Sequence, residues 1–259
     1  MAAIPILLVH GIRTSASMWR QQVERLRDDG HSVLAIDLPG HGALLGEEFT
    51  VEGALREIDT GVTALGGRVM LVGLSLGGYY AIAYAGAHPE RVAGLVAAGC
   101  STVPGGPGLA AYRGLARGIR LLPDRGLWLH TTMVRALVPR QGAHDVLAGG
   151  VALDVMDAGL RATGTLRPLA SLAAYPGPVW LVNGALDQFR LNERRFLAAC
   201  RRGRLVIVPG ATHLVSLAQP QRFTAVLRRV AAELSAGFPA EEAGGEPGGE
   251  PGPIVGPGQ

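Results

Sequence analysis

Residues 69–88 read VMLVGLSLGGYYAIAYAGAH. This stretch opens with a continuously apolar pattern, Val69–Gly73, which is typical of a strand covered on both faces. It continues from Leu76 to His88 with a helical pattern. Ser75 falls on the turn between the two patterns, with a glycine two positions before it and another two positions after it. The sequence therefore predicts a strand, a sharp turn and a helix, with a serine at the apex of the turn.

Short apolar runs of the same kind alternate with helical patterns along most of the chain. The candidate strands are Ile6–His10, Val33–Asp37, Val69–Gly73, Val92–Ala98, Val179–Asn183 and Leu205–Val208. The candidate helices that alternate with them are Ser17–Asp29, Val51–Leu65, Leu76–His88, Asn192–Cys200 and Pro220–Ser235. This alternation predicts an α/β fold with a doubly wound, mostly parallel sheet of about six strands.

The alternation stops between Ser101 and about Tyr175. Three helical patches lie there without a strand pattern, at Leu109–Leu122, Leu127–Leu137 and His144–Ala158. An insertion of about 70 residues without strands is typical of a helical cap rather than a loop. We therefore predict a core formed by residues 1–101 and 176–235, a helical cap at 102–175, and a disordered Gly/Pro/Glu-rich tail at 236–259.

The composition excludes several classes of protein. With 259 residues, 48% of them hydrophobic, and a formal net charge of +3, the chain is neither a disordered protein nor a strongly basic one. We see no clustered basic run of the kind that binds nucleic acid, no signal peptide and no apolar stretch of about 20 residues. The expectation is a soluble, cytoplasmic protein without a nucleic-acid partner or a membrane span. The oligomeric state is left open.

A serine hydroxyl becomes a strong nucleophile when a base accepts its proton and an acid orients that base. Of the seven histidines, His213 follows the apolar run Leu205–Val208 through a short loop, and Asp187 occupies the equivalent place after Val179–Asn183. With Ser75, these residues lie just beyond the carboxyl ends of three candidate strands, where ligands bind in open parallel sheets. The order Ser, Asp, His predicts a catalytic triad.

Catalysis by such a triad also requires donors for the oxyanion that forms on the substrate. The N–H of Leu76 begins a helix, and the N–H of Ile12 follows His10 and Gly11 after the first strand, so we predict these two as the donors. We assign structural roles in loops to His10 and His41. The predicted chemistry requires neither a metal nor a cofactor.

Five motifs together resemble the α/β-hydrolase family over about residues 4–235. They are VHG at 9–11, DLPGHG at 37–42, GLSLGG at 73–78, NGALD at 183–187 and PGATH at 209–213. The resemblance implies the same nucleophile, acid, base and oxyanion donors, and a cap inserted after the fourth strand. The resemblance would include an N-terminal antiparallel hairpin, but we expect this hairpin to be missing here, since the first strand pattern begins at Ile6. We therefore expect a wholly parallel sheet of six strands.

The expected substrate is a small carboxylic ester, a lactone or a thioester, cleaved through an acyl-enzyme. The same triad also serves hydroxynitrile lyases, cofactor-free haloperoxidases and C–C hydrolases, and a non-catalytic small-molecule receptor on the same fold is a further alternative. The candidate pocket residues are Trp19, Tyr79, Trp128, Met133, Met156 and Phe189. Taken singly, each is better explained by ordinary packing in the core or cap. Arginines outnumber acids in the cap segment, which indicates either solvated helix faces or an entrance that favours anionic substrates.

Overall fold

The computed structural model of the chain describes residues 4–237. Within them, six strands form one parallel sheet: β1 (Ile6–Val9), β2 (Val33–Ile36), β3 (Val69–Leu74), β4 (Val92–Ala98), β5 (Pro178–Gly184) and β6 (Arg202–Val208). Their spatial order is β2-β1-β3-β4-β5-β6, and every neighbouring pair is parallel. The predicted parallel sheet of six strands is confirmed.

Helices cover both faces of this sheet. They are α1 (Arg20–Asp28), α2 (Val51–Ala64), α3 (Leu76–Ala87), α4 (Gly106–Arg120), α5 (Leu127–Leu137), α6 (Arg140–Ala148), α7 (Met156–Thr163), α8 (Pro168–Ala174), α9 (Glu193–Ala199), α10 (Val215–Ala218) and α11 (Pro220–Ser235). Buried side chains of α2, α3, α8 and α9 join the core on one face, and those of α1, α10 and α11 join the core on the other. The fold is therefore doubly wound, as predicted.

Strand β1 shows why its sequence is continuously apolar. Leu7 and Val9 belong to the core on one face of the sheet, whereas Ile6 and Leu8 belong to the core on the other. All four side chains are fully buried. Because successive side chains of a strand point to opposite faces, a strand covered on both sides needs apolar residues at every position.

Between β4 and β5, all the regular secondary structure is helical. The single patch predicted over His144–Ala158 is wrong, because two helices, α6 and α7, occupy this region. Gly149 and Gly150 end the first of them, and Gly150 has a φ of +79°. A positive φ is incompatible with a continuing right-handed helix, so the chain turns before α7 begins.

Helix α8 was not predicted, since it has only seven residues and a weak local pattern. It is held by packing against α3. A methyl group on Gly86 of α3 would lie 2.7 Å from the carbonyl oxygen of Ser171, so the two helix backbones touch at this glycine. Leu172 of α8 is fully buried in the same core. Tertiary contact stabilises this helix more than its own propensity does.

Of the predicted tail, only Ala236 and Gly237 fall within the described residues, and the prediction of disorder for the rest lies outside them. In the part of the chain that the structure covers, no helix combines the length and the apolar character needed to cross a membrane. No group of three His, Cys, Asp or Glu side chains in this part is arranged to hold a metal ion.

Candidate active site

Ser75 occupies a tight turn between β3 and α3. Its φ of 53° and ψ of −115° are strained for a residue other than glycine. A methyl group on Gly73 would collide with the carbonyl group of Gly77, and one on Gly77 would collide with the carbonyl oxygen of Val9. The N–H of Ser75 donates to the carbonyl oxygen of Ala98 at 2.7 Å. The two glycines and this hydrogen bond hold the serine in its strained conformation above the sheet.

The side chains of Ser75, His213 and Asp187 form a continuous hydrogen-bonded line. Nε2 of His213 lies 2.9 Å from Oγ of Ser75. Nδ1 of the same ring lies 3.1 Å and 3.2 Å from the two carboxylate oxygens of Asp187. The Asp187 side chain is fully buried and the His213 side chain is 20% exposed. The line therefore runs from a buried carboxylate towards a hydroxyl near the surface.

A backbone hydrogen bond connects the loop after β5 with the loop after β6. This bond positions Asp187 relative to His213. The N–H of Leu186 donates to the carbonyl oxygen of Ala211 at 2.9 Å. A methyl group on Gly184 would collide with the carbonyl oxygens of the two residues that precede His213. The close approach therefore requires glycine at the end of β5.

Phe189 contacts both Asp187 and the imidazole of His213. Its N–H donates to Oδ1 of Asp187 at 2.8 Å, and the centroid of its ring lies 4.7 Å from that of His213. Its carbonyl oxygen accepts from Oγ1 of Thr102 at 2.6 Å, and the hydroxyl of Tyr79 donates to the carbonyl oxygen of Thr102 at 2.6 Å. Burial raises the pKa of Tyr79, so this hydroxyl stays protonated as a donor. Thr102 is a member of this network that the sequence reasoning missed.

The loop after β1 lies against the serine turn. A methyl group on Gly11 would be 3.6 Å from Cβ of Ser75, so the N–H of the next residue, Ile12, is held close to the serine. Leu76 is the first residue of α3, and its N–H has no partner within that helix. The two predicted oxyanion donors thus belong to two backbone segments next to Ser75, the loop after β1 and the start of α3.

Two histidines connect this loop to the loop after β2. Nδ1 of His10 donates to the carbonyl oxygen of Gly11 at 2.7 Å, and its Nε2 accepts from the N–H of Leu38 at 3.0 Å. Nε2 of His41 accepts from the N–H of Arg13 at 3.3 Å. Burial and the neighbouring His41 lower the pKa of His10 to about 3, and burial also lowers the pKa of His41. Both rings are therefore neutral near pH 7, and both form hydrogen bonds with loop backbone, as the predicted structural roles require.

An apolar wall stands beside the loop after β1. Met156 of α7 forms a small buried cluster with Ala116 and Leu160. Ile12 and Tyr112 pack against this cluster, and the ring centroid of Tyr112 lies 5.9 Å from that of Phe189. Helices α4 and α7 thus reach the same region as the His213 ring. Tyr112 has no distinguishing signal in the sequence.

Among the candidate pocket residues, Tyr79, Met156 and Phe189 lie in these networks around the serine. The structure does not bring Trp19, Trp128 or Met133 to them. Trp19 is fully buried in the core, with its ring centroid 5.9 Å from that of Phe223 in α11. Trp128 and Met133 project from α5 and are 70% and 52% exposed. Trp19 therefore packs against α11, whereas the side chains of Trp128 and Met133 are exposed to solvent.

The fold, the serine turn and the hydrogen-bonded line together define a hydrolase of the α/β class. Residues 6–226 match the sequence model of the alpha/beta hydrolase family. The match spans most of the chain, and the chain therefore belongs to this family of enzymes.

Two curated relatives illustrate the range of similarity. A pimeloyl-[acyl-carrier protein] methyl ester esterase of Edwardsiella ictaluri is 32% identical over 248 residues, which cover 86% of this chain and 91% of the relative. A 2-hydroxy-6-oxononadienedioate/2-hydroxy-6-oxononatrienedioate hydrolase of Burkholderia vietnamiensis is 35% identical over 111 residues. That second match covers 39% of this chain and only 37% of the relative.

Solved structures share the architecture. An esterase from Thermogutta terrifontis, solved with malate bound, is 25% identical and has a TM-score of 0.73, with 90% of this chain and 91% of that chain covered. The enol-lactonase from Burkholderia xenovorans LB400 is 21% identical and also has a TM-score of 0.73, with 90% and 93% covered. At this level of identity, the second likeness describes the fold alone.

Proposed function

We propose that this protein is a serine hydrolase that cleaves a small carboxylic ester, lactone or thioester through an acyl-enzyme on Ser75. The observation that carries the proposal is the separation of 2.9 Å between Oγ of Ser75 and Nε2 of His213, with Asp187 on the other side of the ring. A proton on Nδ1 faces the carboxylate and leaves the lone pair of Nε2 free to accept the serine proton. Asp187 is thus the acid that orients the base.

The reaction begins when Ser75 attacks the carbonyl carbon and His213 takes the hydroxyl proton. The carbonyl oxygen becomes an oxyanion, which the N–H groups of Ile12 and Leu76 stabilise, each by roughly 3–4 kcal/mol. His213 then gives its proton to the leaving group, and the acyl group remains on the serine. A water molecule, activated by the same imidazole, releases the acid and restores the enzyme.

We further propose that residues 102–175 cap this site and supply its apolar pocket. The support is the wall formed by Met156 with Ile12 and Tyr112, and the contact between Tyr112 and Phe189. Such a wall binds the hydrocarbon part of an acyl chain, because burial of apolar area is favourable at about 25 cal/mol per Å². Residues of this wall can therefore set the preference for the acyl group, while the triad stays the same.

The relative from E. ictaluri favours an ester, because its name describes a methyl ester esterase and the match covers most of both chains. The second candidate is hydrolysis of a carbon–carbon bond in an oxo-dienedioate on the same triad. It is favoured by the substrate in the name of the B. vietnamiensis relative, although that match covers a much shorter region.

The test is a screen of purified protein against p-nitrophenyl esters, thioesters, lactones and a 2-hydroxy-6-oxo-dienedioate, with the Ser75→Ala protein as the blank. A fluorophosphonate probe should label the native protein on Ser75 and leave the variant unlabelled. Turnover that survives in Ser75→Ala would remove this residue from the mechanism. A native protein that is neither labelled nor active would reject the serine hydrolase and favour the alternative of a non-catalytic receptor on the same fold.

A further inference from the structure

Arg13 lies at the edge of the site and has no role in the mechanism above. It follows Ile12 in the loop after β1, and its φ of +64° is unfavourable for a long side chain. Gly11, which touches the serine turn, is two residues away, so the α-carbons of Arg13 and Gly11 are within roughly 7 Å of each other. Strained residues of this kind cluster at ligand-binding positions.

One nitrogen of the Arg13 guanidinium, Nε, is buried without a hydrogen-bond partner. No carboxylate among residues 4–237 lies within ion-pair distance of the guanidinium. Burial lowers the pKa of Arg13, which shows that its surroundings disfavour the charge. Two arginines of the helical segment differ in this respect, since Arg113 pairs with Asp157 at 3.0 Å and Arg125 with Asp154 at 2.7 Å. A partly desolvated charge without a counter-ion is costly, and an incoming anion removes that cost.

His130 of α5 is a second unsatisfied group beside Arg13. Its Nε2 is buried and has no hydrogen-bond partner. Burial and the positive charge of Arg13 lower the pKa of His130 to about 4. The ring is therefore neutral near pH 7, and in one tautomer Nε2 carries a proton that it can donate. Arg13 and His130 together offer N–H donors to an acceptor that the described chain does not supply.

Tyr112 connects these donors to the reaction centre. It interacts electrostatically with Arg13, and its ring centroid lies 5.9 Å from that of Phe189. The ring of Phe189 in turn lies 4.7 Å from that of His213. Tyr112 and Phe189 therefore link the surroundings of Arg13 to the imidazole of His213.

We propose that Arg13, assisted by His130, binds a carboxylate on the substrate, so that the enzyme prefers half-esters of dicarboxylic acids to neutral esters. This rests on the proposed function, and it adds the chemical class of the substrate. The planar guanidinium fork matches the two oxygens of a carboxylate and can bind them with two parallel hydrogen bonds. The neutral donor of His130 adds a third contact without a second charge.

The test compares methyl hydrogen succinate, glutarate and adipate with methyl butanoate, pentanoate and hexanoate, pairs that differ only in the terminal carboxylate. We expect kcat/KM of the native enzyme to be at least about tenfold higher for the best half-ester than for its neutral partner. Arg13→Gln should reduce that ratio by about tenfold or more, and Arg13→Lys by less, because it keeps the charge but loses the fork. Arg13→Asn serves as a second variant, since asparagine tolerates a positive φ.

Arg229→Gln is the matched control, because Arg229 is exposed on α11, and it should leave both rates unchanged. A native ratio near one, or equal losses on both substrates in Arg13→Gln, would overturn the assignment of Arg13 while hydrolysis of neutral esters still supports the proposed function. If the native enzyme cleaves neither kind of ester, the proposed function fails instead. Calorimetric titration with adipate then tests the carboxylate site independently of catalysis. Adipate binding that is at least tenfold weaker in Arg13→Gln than in the native protein supports the site. Binding that is equal in the two proteins, or absent from the native protein, rejects it.

Discussion

Gly99 packs against the imidazole of His213. A methyl group on Gly99 would be 3.3 Å from both Nδ1 and Cε1 of the ring and 3.2 Å from the carbonyl oxygen of His213. Gly99 has a φ of +58°, and its N–H donates to the carbonyl oxygen of Val182 at 3.0 Å. The residue that follows β4 thus limits the position of the His213 ring between Ser75 and Asp187.

Replacing Gly99 with alanine should displace the imidazole and reduce kcat/KM by about 100-fold, because small misplacements of a catalytic group are that costly. The positive φ should also lower the free energy of unfolding by about 1–2 kcal/mol. Ester hydrolysis and thermal unfolding measure the two effects. Gly30→Ala is the control, since Gly30 has a φ of +86° and a methyl group added there would have no non-adjacent atom within 4 Å. It should lose similar stability and keep full activity, and equal activity in both variants would refute the positioning role.

Asp187→Asn tests the acid without disturbing its loop. An asparagine oxygen can still accept from the N–H of Phe189, which now donates to Oδ1 of Asp187 at 2.8 Å. Its amide group would donate to Nδ1 of His213, so the ring proton would move to Nε2 and the serine would lose its base. We expect kcat to fall by about 10⁴-fold with little change in melting temperature. Asp29→Asn, which breaks only a surface pair with Arg228, should retain full activity.

Stability should fall in mild acid because of buried neutral histidines. The fold lowers the pKa of His10 from 6.5 to about 3, so below pH 6.5 the unfolded chain binds the proton more tightly. The free energy of unfolding should therefore fall as the pH drops from 6.5 towards 3, with His10 alone contributing about 2 kcal/mol of the loss at pH 5. His41 and His130, whose pKa values are also lowered, add losses of the same sign.

Urea unfolding at pH 7.5, 6 and 5 measures this dependence. The His10→Gln protein should show a shallower decline, whatever its stability at pH 7.5, because the titrating group is gone. His144→Gln provides the comparison, since that side chain is 67% exposed. A native protein with the same unfolding midpoint at all three pH values would contradict the prediction.

Phe189→Ala should remove two contacts of the aromatic ring, one with Tyr112 in the apolar wall and one with the imidazole of His213. We expect kcat/KM for an apolar ester to fall by about tenfold to 100-fold, since the half-buried ring contributes both apolar area and an oriented contact with the imidazole. Steady-state kinetics on p-nitrophenyl butyrate is the measurement. Leu191→Ala, two residues further along and 77% exposed, should have no effect. Matching rates for the two variants would show that the ring is not part of the site.

Local sequence patterns were sufficient for the sheet and for the three polar side chains at its edge. All six strands were predicted within three residues of their observed ends. The largest difference is at β6, which begins at Arg202 rather than at Leu205. This strand lies at the edge of the sheet and is only half-buried over most of its length, so polar residues are tolerated there.

The helical segment was predicted less well, because contacts between helices are not encoded by local periodicity. The break between α6 and α7 depends on the positive φ of Gly150, and α8 depends on its contact with Gly86 of α3. Tryptophan and methionine side chains were assigned to the pocket by residue type alone. Their burial or exposure was decided by how the helices pack.

The sequence by itself determined the parallel sheet and the placement of Ser75, Asp187 and His213, because apolar runs and the residues that follow them are local features of the chain. Only the tertiary structure decided which side chains surround the imidazole and that the guanidinium of Arg13 has no counter-ion among residues 4–237. The physical reason is that packing brings together loops and helices more than 100 residues apart, as when His213 meets Ser75 across 138 positions of sequence.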